Sequence, residues 1–178
     1  KCAQELSDAH VDDMGYACLV AIMSMGRGYH CVSEVNLHQE TVANDFPTPI
    51  VTSAGALING LKVLGAKQIS IITPYMRPLT DKVVDYIEHQ GIKVKQSIAL
   101  EIPDNLEVAA QNPMNLLEIY KQLDLTDVDV LVASACVQMP SLEAIDLIQA
   151  ECGIPVTSAA ICTTYEMMKK LGIEAKSA

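Results

Sequence analysis

The chain has 178 residues, half of them hydrophobic, and a formal net charge of −10. This length and apolar content suffice for a globular core, while the acidic balance argues against nucleic acid as a partner. No apolar run reaches the roughly 18 to 20 residues that span a bilayer, so we expect no membrane contact. The six cysteines include no CxxC pair, so we expect reduced thiols and a cytoplasmic protein.

Apolar patterning predicts helices and strands in alternation along the chain. A helix over residues 1–10 leads into a strand that ends at Cys18. The remaining predicted strands cover residues 50–52, 68–73, 92–100, 128–136 and 155–157. The remaining predicted helices cover residues 32–44, 53–64, 79–90, 113–123, 140–151 and 159–171. This alternation predicts an α/β fold with parallel sheets flanked by helices on both faces.

Two stretches of the sequence resemble each other and indicate an internal duplication. Residues 11–18 and residues 128–136 each begin with Val-Asp and end with Ala-Cys, and each is followed further on by Val-Thr-Ser-Ala. We therefore predict two pseudo-symmetric Rossmann-like subdomains with the active site in the cleft between them. Residues 1–57 with 158–178 would form the first, and residues 58–157 the second.

Cys18 and Cys136 occupy matching positions at the carboxyl ends of the duplicated strands, where open α/β sheets place their chemistry. A thiol beside the free N–H groups of a helix start gains thiolate character and can act as a nucleophile or a proton donor. Free cysteines mostly pack as small apolar residues, so the matched placement is what singles out this pair. We expect the two thiols to face one another across the cleft, and we assign the other four cysteines structural roles.

Hydroxyl residues open one predicted helix in each half, at Thr52-Ser53 and at Thr157-Ser158. Such residues are ordinary helix N-caps. They can also combine with the free N–H groups of the helix to hold a carboxylate. Two such sites related by the duplication would suit a small dicarboxylate.

Tyr75 and Asn105 follow predicted strands in the second half. Tyr75 lies in a turn between two prolines, where it either packs or donates a hydrogen bond to an oxyanion. Asn105 stands in a Pro-Asp-Asn loop, where asparagine is more often a turn residue than a ligand. The four histidines show no metal-binding pattern, so we predict no metal.

Several segments resemble the maleate cis-trans isomerases, a family of the Asp/Glu racemase superfamily that has arylmalonate decarboxylase as a relative. The resemblance covers essentially the whole chain. It is carried by residues 15–21, 52–57, 74–76, 101–105 and 134–141, of which the last, Ser-Ala-Cys-Val-Gln-Met-Pro-Ser, is the most specific. Asp/Glu racemases typically have Asn-Thr after the first cysteine, whereas Leu19-Val20 stands here.

The resemblance implies a cofactor-independent conversion of maleate to fumarate. Cys18 would add to one olefinic carbon, and Cys136 would protonate the neighbouring carbon. After rotation about the resulting single bond, Cys136 would remove the proton and Cys18 would leave. Tyr75 and Asn105 match family positions that hold the substrate, and we expect Val137 to contact it as well. No metal or cofactor is implied.

The resemblance also implies a homodimer and a role in bacterial nicotinate degradation. Family members begin upstream with a strand and an asparagine-containing loop, so we expect a piece of a longer protein with an incomplete first subdomain. Two alternatives stay open: a two-cysteine racemase of an amino acid or hydantoin, and an inactive, truncated derivative that binds a small acid. Thiol redox exchange is a weaker alternative, because no resolving cysteine stands nearby in the sequence.

Overall fold

The computed structural model describes residues 1–174 and shows parallel strands flanked by helices. The strands are β1 (Met14–Tyr16), β2 (Ile50–Thr52), β3 (Gln68–Thr73), β4 (Lys93–Ala99), β5 (Val130–Ser134) and β6 (Val156–Ser158). The helices are α1 (Cys2–Ser7), α2 (Leu19–Met23), α3 (Tyr29–Val42), α4 (Ser53–Val63), α5 (Arg77–His89), α6 (Asn105–Ala109), α7 (Leu116–Ile119), α8 (Leu142–Cys152) and α9 (Ala159–Lys170). The fold class is therefore α/β, as the alternation of patterns predicted.

The strands form two parallel sheets of unequal size. β1 pairs with β2 in a two-stranded sheet, and the other four strands form a sheet of order β4-β3-β5-β6. Strands β3 and β5 lie at the centre of the larger sheet, and their apolar side chains are buried on both faces. Such near-continuous apolar runs are typical of parallel strands covered by helices.

The pair β1–β2 repeats the arrangement of the pair β5–β6. In each pair the first strand ends two residues before a cysteine, Cys18 or Cys136, and the second strand runs directly into a helix. The last paired residues are Tyr16 with Thr52 in one case and Ser134 with Ser158 in the other. The two cysteines thus follow equivalent strand ends, as the duplicated sequence predicted.

Helices α4 and α9, which follow β2 and β6, pack against each other. Gly60 permits this close contact, since a Cβ atom at that position would lie 2.5 Å from the Sγ atom of Cys162. Although α9 follows the larger sheet in sequence, it also packs against β1 and β2. Lys170 donates a hydrogen bond from Nζ to the carbonyl oxygen of Ile50 (2.9 Å), so the last helix of the described chain is fastened to the smaller sheet.

The outer edges of β2 and β6 are covered by side chains. Glu34 Oε1 accepts hydrogen bonds from the backbone N–H (3.1 Å) and the hydroxyl (2.8 Å) of Thr52. On β6, the side-chain oxygen of Gln149 accepts the N–H of Val156 (3.0 Å). These contacts satisfy edge groups that would otherwise be free to pair with another strand.

Local structure differs from the sequence-based expectation in several places, and most element bounds shift by one to three residues. The strand expected over residues 128–136 ends at Ser134, because the chain bends before Cys136. The first strand ends at Tyr16 rather than Cys18, because Cys18 is the N-cap residue of α2 with an extended backbone. The helix predicted for residues 113–123 is α7 flanked by two 3₁₀ turns. Asn105, expected in a loop over residues 101–105, begins α6, a helix that was not predicted, and Asp104 caps it by accepting the N–H of Leu106 (2.7 Å). Within residues 1–174, no helix combines the length and apolarity that a membrane crossing requires.

Candidate active site

Tyr75 lies at the carboxyl edge of the larger sheet, in the turn between β3 and α5. Its hydroxyl donates a hydrogen bond to the carbonyl oxygen of Ala135 (3.0 Å), the residue before Cys136. The pKa of Tyr75 is raised well above its ordinary value, first by burial and then by the Cys136 and Cys18 sulfurs, whose negative charge would oppose ionisation. Both predicted catalytic thiols therefore lie near one phenol, which stays protonated and able to donate.

Cys136 is held in a tight bend directly after β5. Its side chain is buried, and the Ser134 hydroxyl both donates to the Cys136 carbonyl oxygen (2.9 Å) and accepts the Cys136 N–H (3.4 Å). Because Ser134 is itself completely buried, this bend has little freedom to move. The sulfur of Cys136 is thus fixed in a sheltered position beside Tyr75, as proton transfer in a defined geometry requires.

Cys18 differs from its counterpart in exposure. It is solvent-exposed and stands at the N-terminus of α2, where its side chain makes no capping hydrogen bond. The α2 residues that follow it, Leu19, Ile22 and Met23, are buried and anchor the short helix in the core. A thiol that is open to solvent but carried on an anchored backbone suits a nucleophile that must reach a substrate carbon.

Asn105 begins α6 and is exposed. Its backbone carbonyl accepts a hydrogen bond from the side chain of Gln138 (2.8 Å), two residues after Cys136. The preceding loop is tied to the Tyr75 turn, since Ile102 N–H donates to the Pro74 carbonyl (2.9 Å). The structure therefore brings the Asn105 loop, the Tyr75 turn and the Cys136 bend together at one edge of the sheet.

Thr52 and Ser53 lie at the start of α4 and are completely buried. The Thr52 hydroxyl donates to Glu34 and accepts the N–H of Gly55 (3.1 Å), so it serves as the N-cap. Ser53 Oγ is buried and has no hydrogen-bond partner among residues 1–174. The carboxylate that the Thr52 hydroxyl binds in this structure is thus the protein's own Glu34.

Thr157 and Ser158 occupy the equivalent place before α9. The Ser158 hydroxyl caps the helix by accepting the N–H of Ile161 (3.2 Å), while the Thr157 hydroxyl lies 3.3 Å from Cys162 Sγ. Ser158 and Val137 line an open, mainly apolar cavity of about 480 Å³ between the segment after Cys136 and α9. Cys18, Cys136 and Tyr75 do not line this cavity.

Sequence reasoning did not identify Glu34 or Ser134. Ser134 carried a usable signal, because it is a polar residue in an otherwise apolar strand, two residues before a predicted catalytic cysteine. Glu34 carried no such signal, since it resembles any other acidic residue of α3 and its partner Thr52 is 18 residues away. Among residues 1–174, no three His, Cys, Asp or Glu side chains are grouped so that they could hold a metal ion.

Comparison with known proteins gives concordant results. The family model described as arylmalonate decarboxylase matches residues 3–178. A maleate isomerase of Geobacillus stearothermophilus is 55% identical over 174 residues, which are 98% of this chain and 69% of that protein.

Two solved structures are also similar. The maleate isomerase Iso from Pseudomonas putida S16 is 59% identical, with a TM-score of 0.95 over 97% of this chain and 69% of that one. A cysteine-to-serine mutant of the Nocardia farcinica maleate cis-trans isomerase, with a covalently bound succinylcysteine intermediate, is 40% identical. Its TM-score is 0.94, over 97% of this chain and 70% of that one.

Proposed function

The chain belongs to the arylmalonate decarboxylase family and, within it, to the maleate isomerases, and on this premise we propose that it converts maleate to fumarate. The observation that carries the proposal is the placement of Cys18 and Cys136 after equivalent strand ends, with the Tyr75 phenol hydrogen-bonded to the residue that precedes Cys136. The succinylcysteine seen in the Nocardia farcinica relative supports a covalent route.

Cys18 is the proposed nucleophile because it is the exposed thiol of the pair. Its thiolate forms a C–S bond to one olefinic carbon of maleate, and the π electrons move onto the adjacent carboxylate as an enediolate. Cys136 delivers its proton to the neighbouring carbon, which leaves a succinyl adduct with a central single bond. After rotation, the Cys136 thiolate removes that proton, the double bond reforms, the C–S bond breaks, and fumarate departs.

Rotation about the carbon–carbon double bond of maleate has a high barrier. The proposed reaction is fast because covalent addition replaces this rotation with easier steps and because the enediolate is stabilised. Tyr75 is placed to donate a hydrogen bond to the developing charge, and its raised pKa keeps the proton on the phenol. Loss of one such donor typically costs on the order of 10²-fold or more in kcat. We assign Asn105 to the substrate on the basis of its loop, which is tied to both Tyr75 and Gln138.

Among the hydroxyl and backbone contacts predicted for the substrate, we propose Ser158, whose hydroxyl stands at the start of α9, and Val137, which directly follows Cys136. The same role for Thr52, Ser53 and Thr157 stays a prediction. The Thr52 hydroxyl would have to exchange Glu34 for the substrate, which disfavours it relative to Ser158.

The test is the intact mass of the protein after incubation with maleate and acid quenching. We expect a Cys136→Ser variant to accumulate one maleate-derived adduct, because the enediolate formed by addition at Cys18 can take its proton from solvent, whereas no thiolate remains at position 136 to remove that proton again. Cys18→Ala should form none. Cys31→Ala is the matched control, since Cys31 is an exposed thiol on α3 and is given no part in the reaction.

The outcomes separate the competing functions. Adduct formation that survives Cys18→Ala would contradict the assignment of the nucleophile. Exchange of deuterium into the α-carbon of an amino acid without action on maleate would favour a racemase. Thermal stabilisation by maleate with neither adduct nor fumarate would favour an inactive acid-binding derivative.

We propose in addition the division into residues 1–57 with 158–178 and residues 58–157, of which positions 175–178 lie outside the described residues. The packing of α9 against β1 and β2 supports this division. Family resemblance supports a homodimer, a cytoplasmic location and a part in nicotinate degradation. Light scattering of the purified protein tests the first of these.

A further inference from the structure

The chain segment that follows Cys18 is fastened to a helix of the larger sheet. That segment consists of α2, a loop with Gly26 and Gly28 at positive φ, and α3, and it connects β1 to β2. The helix is α5, which connects β3 to β4 and begins directly after the Tyr75 turn. α2 packs on α5, so the carrier of Cys18 rests on the element that follows Tyr75.

Tyr86 of α5 makes a double contact with the start of α3. Its hydroxyl accepts the backbone N–H of His30 (3.0 Å) and lies 2.5 Å from His30 Nδ1. Both residues are buried, Tyr86 almost completely. Since the hydroxyl oxygen already accepts the backbone N–H, its own proton is available for Nδ1, and the pair is joined by two hydrogen bonds in opposite directions.

Next to this contact, Arg27 in the glycine loop forms a two-point ion pair with Asp85 of α5. Arg27 Nε lies 3.0 Å from Asp85 Oδ2, and Nη2 lies 2.5 Å from Oδ1. Both side chains are more than half exposed. An exposed pair of this kind adds little stability by itself, but its fork geometry restricts the direction of approach.

The two contacts together fix the connection that carries Cys18. α2 lies between Cys18 and Arg27 and is only five residues long, so a shift of the Arg27–His30 segment along α5 would be transmitted to the Cys18 backbone. Leu19, Ile22 and Met23 of α2 share a core cluster with Tyr86 and Ile87 of α5. The apolar contact allows sliding, whereas the directional hydrogen bonds and the ion pair do not.

We propose that Tyr86 is a positioning residue that, with the Arg27–Asp85 pair, sets the separation of the Cys18 thiol from Cys136 and Tyr75. The proposal rests on the proposed function, in which these three groups act on one substrate. Displacements of about 1 Å in such an arrangement can cost on the order of 10²-fold in rate. The residues touch no substrate and act only through the placement of Cys18.

The first test measures thiol geometry without using catalysis. The full chain is treated with dibromobimane, whose two arms each alkylate one thiol with loss of bromide, and peptide mass mapping gives the fraction of Cys18 that is cross-linked to Cys136. We expect Tyr86→Phe to lower the cross-linked fraction severalfold while single-arm alkylation of Cys18 by iodoacetamide is unchanged. Asp85→Asn should lower it less.

Two variants serve as matched controls. Tyr120→Phe removes the hydroxyl of a buried tyrosine from the other core cluster, and Asp81→Asn breaks an ion pair with Arg77 that lies entirely within α5. Neither should change the cross-linked fraction. Exchange of the charges in Arg27→Asp/Asp85→Arg should restore the fraction that Asp85→Asn loses.

Kinetics with maleate provide the second readout. Tyr86→Phe should lower kcat about tenfold or more with KM changed less than about twofold, because misplacement of a nucleophile affects the bond-forming step. A parent chain in which both Cys18 and Cys136 are alkylated but never joined to each other would overturn the paired-thiol site and the proposed function with it. A cross-linked fraction that is equal in the parent and in Tyr86→Phe would overturn the positioning role alone.

Discussion

Gly60 is the residue on which the close contact of α4 and α9 depends. A methyl group there would approach Cys162 Sγ to 2.5 Å and Cys162 Cβ to 3.2 Å. Gly60→Ala should therefore lower the free energy of unfolding by about 1–3 kcal/mol through overpacking, despite the better helix propensity of alanine. Urea unfolding measures this effect.

A double variant tests the stated cause of that loss. Cys162→Ala removes the sulfur atom that the new methyl group would meet. The combined Gly60→Ala/Cys162→Ala variant should then be less destabilised than the sum of the two single variants. Strict additivity would show that the loss comes from elsewhere in α4.

His30 links stability to pH. Burial lowers its pKa, the nearby Glu34 opposes this effect, and Lys62 adds to it. Because the folded-state pKa lies below the unfolded value of about 6.5, the unfolded chain takes up a proton first as the pH falls, and stability decreases below about pH 6.5. Protonation also removes the Nδ1 acceptor of the Tyr86 hydroxyl.

The measurement is the free energy of unfolding at several pH values between about 7 and 5, where the slope cannot exceed about 1.4 kcal/mol per pH unit for one group. We expect a smaller slope in His30→Gln than in the parent. Equal slopes in His30→Gln and the parent would contradict the role given to His30.

At the scale of elements, the start of α4 is stabilised by a side chain from α3. Glu34 accepts both the N–H and the hydroxyl proton of Thr52, and its Oε1 would lie only 2.7 Å from a Cβ atom at residue 55, which explains the glycine there. Glu34→Ala should cost about 1–3 kcal/mol, because a buried N–H and hydroxyl lose their acceptor. Glu34→Gln keeps an acceptor oxygen and should cost less.

Glu40→Ala on the same helix is the matched control. Its carboxylate is half exposed and has no part in the β2 edge. A change within about 0.5 kcal/mol is expected for such a surface residue. If thermal unfolding gave the same loss for Glu40→Ala as for Glu34→Ala, the effect would belong to α3 as a whole rather than to the edge.

The same elements show how far local sequence determines structure. The strands at residues 50–52 and 68–73 were predicted with the observed bounds, and Thr52 and Ser158 are helix N-caps as expected. Apolar runs and capping residues act over a few positions, so they are readable from sequence. The helix α6 was missed because its Asp104 cap was read as part of a turn, and both structures use the same residue types.

At the scale of the whole molecule, the duplication predicted which strand ends are equivalent, but not how unlike the two cysteines are. Cys136 is buried and held by Ser134, whereas the residue equivalent to Ser134 in the first half is Tyr16, which leaves Cys18 exposed. The contacts that place Cys18, from Asp85 and Tyr86, join residues more than 50 positions apart. Patterns of local periodicity contain no information about such pairs.

The packing of α9 against β1 and β2 has a consequence for the order of events during synthesis. Met167 lies against Gly15, and Lys170 binds the Ile50 carbonyl. The ribosome makes β1 and β2 first, but these strands remain without part of their cover until α9 emerges from the exit tunnel. Strands β3, β4 and β5 of the larger sheet can pair while translation continues. The smaller sheet, with the thiol that follows it, gains its final packing only after α9 has been translated.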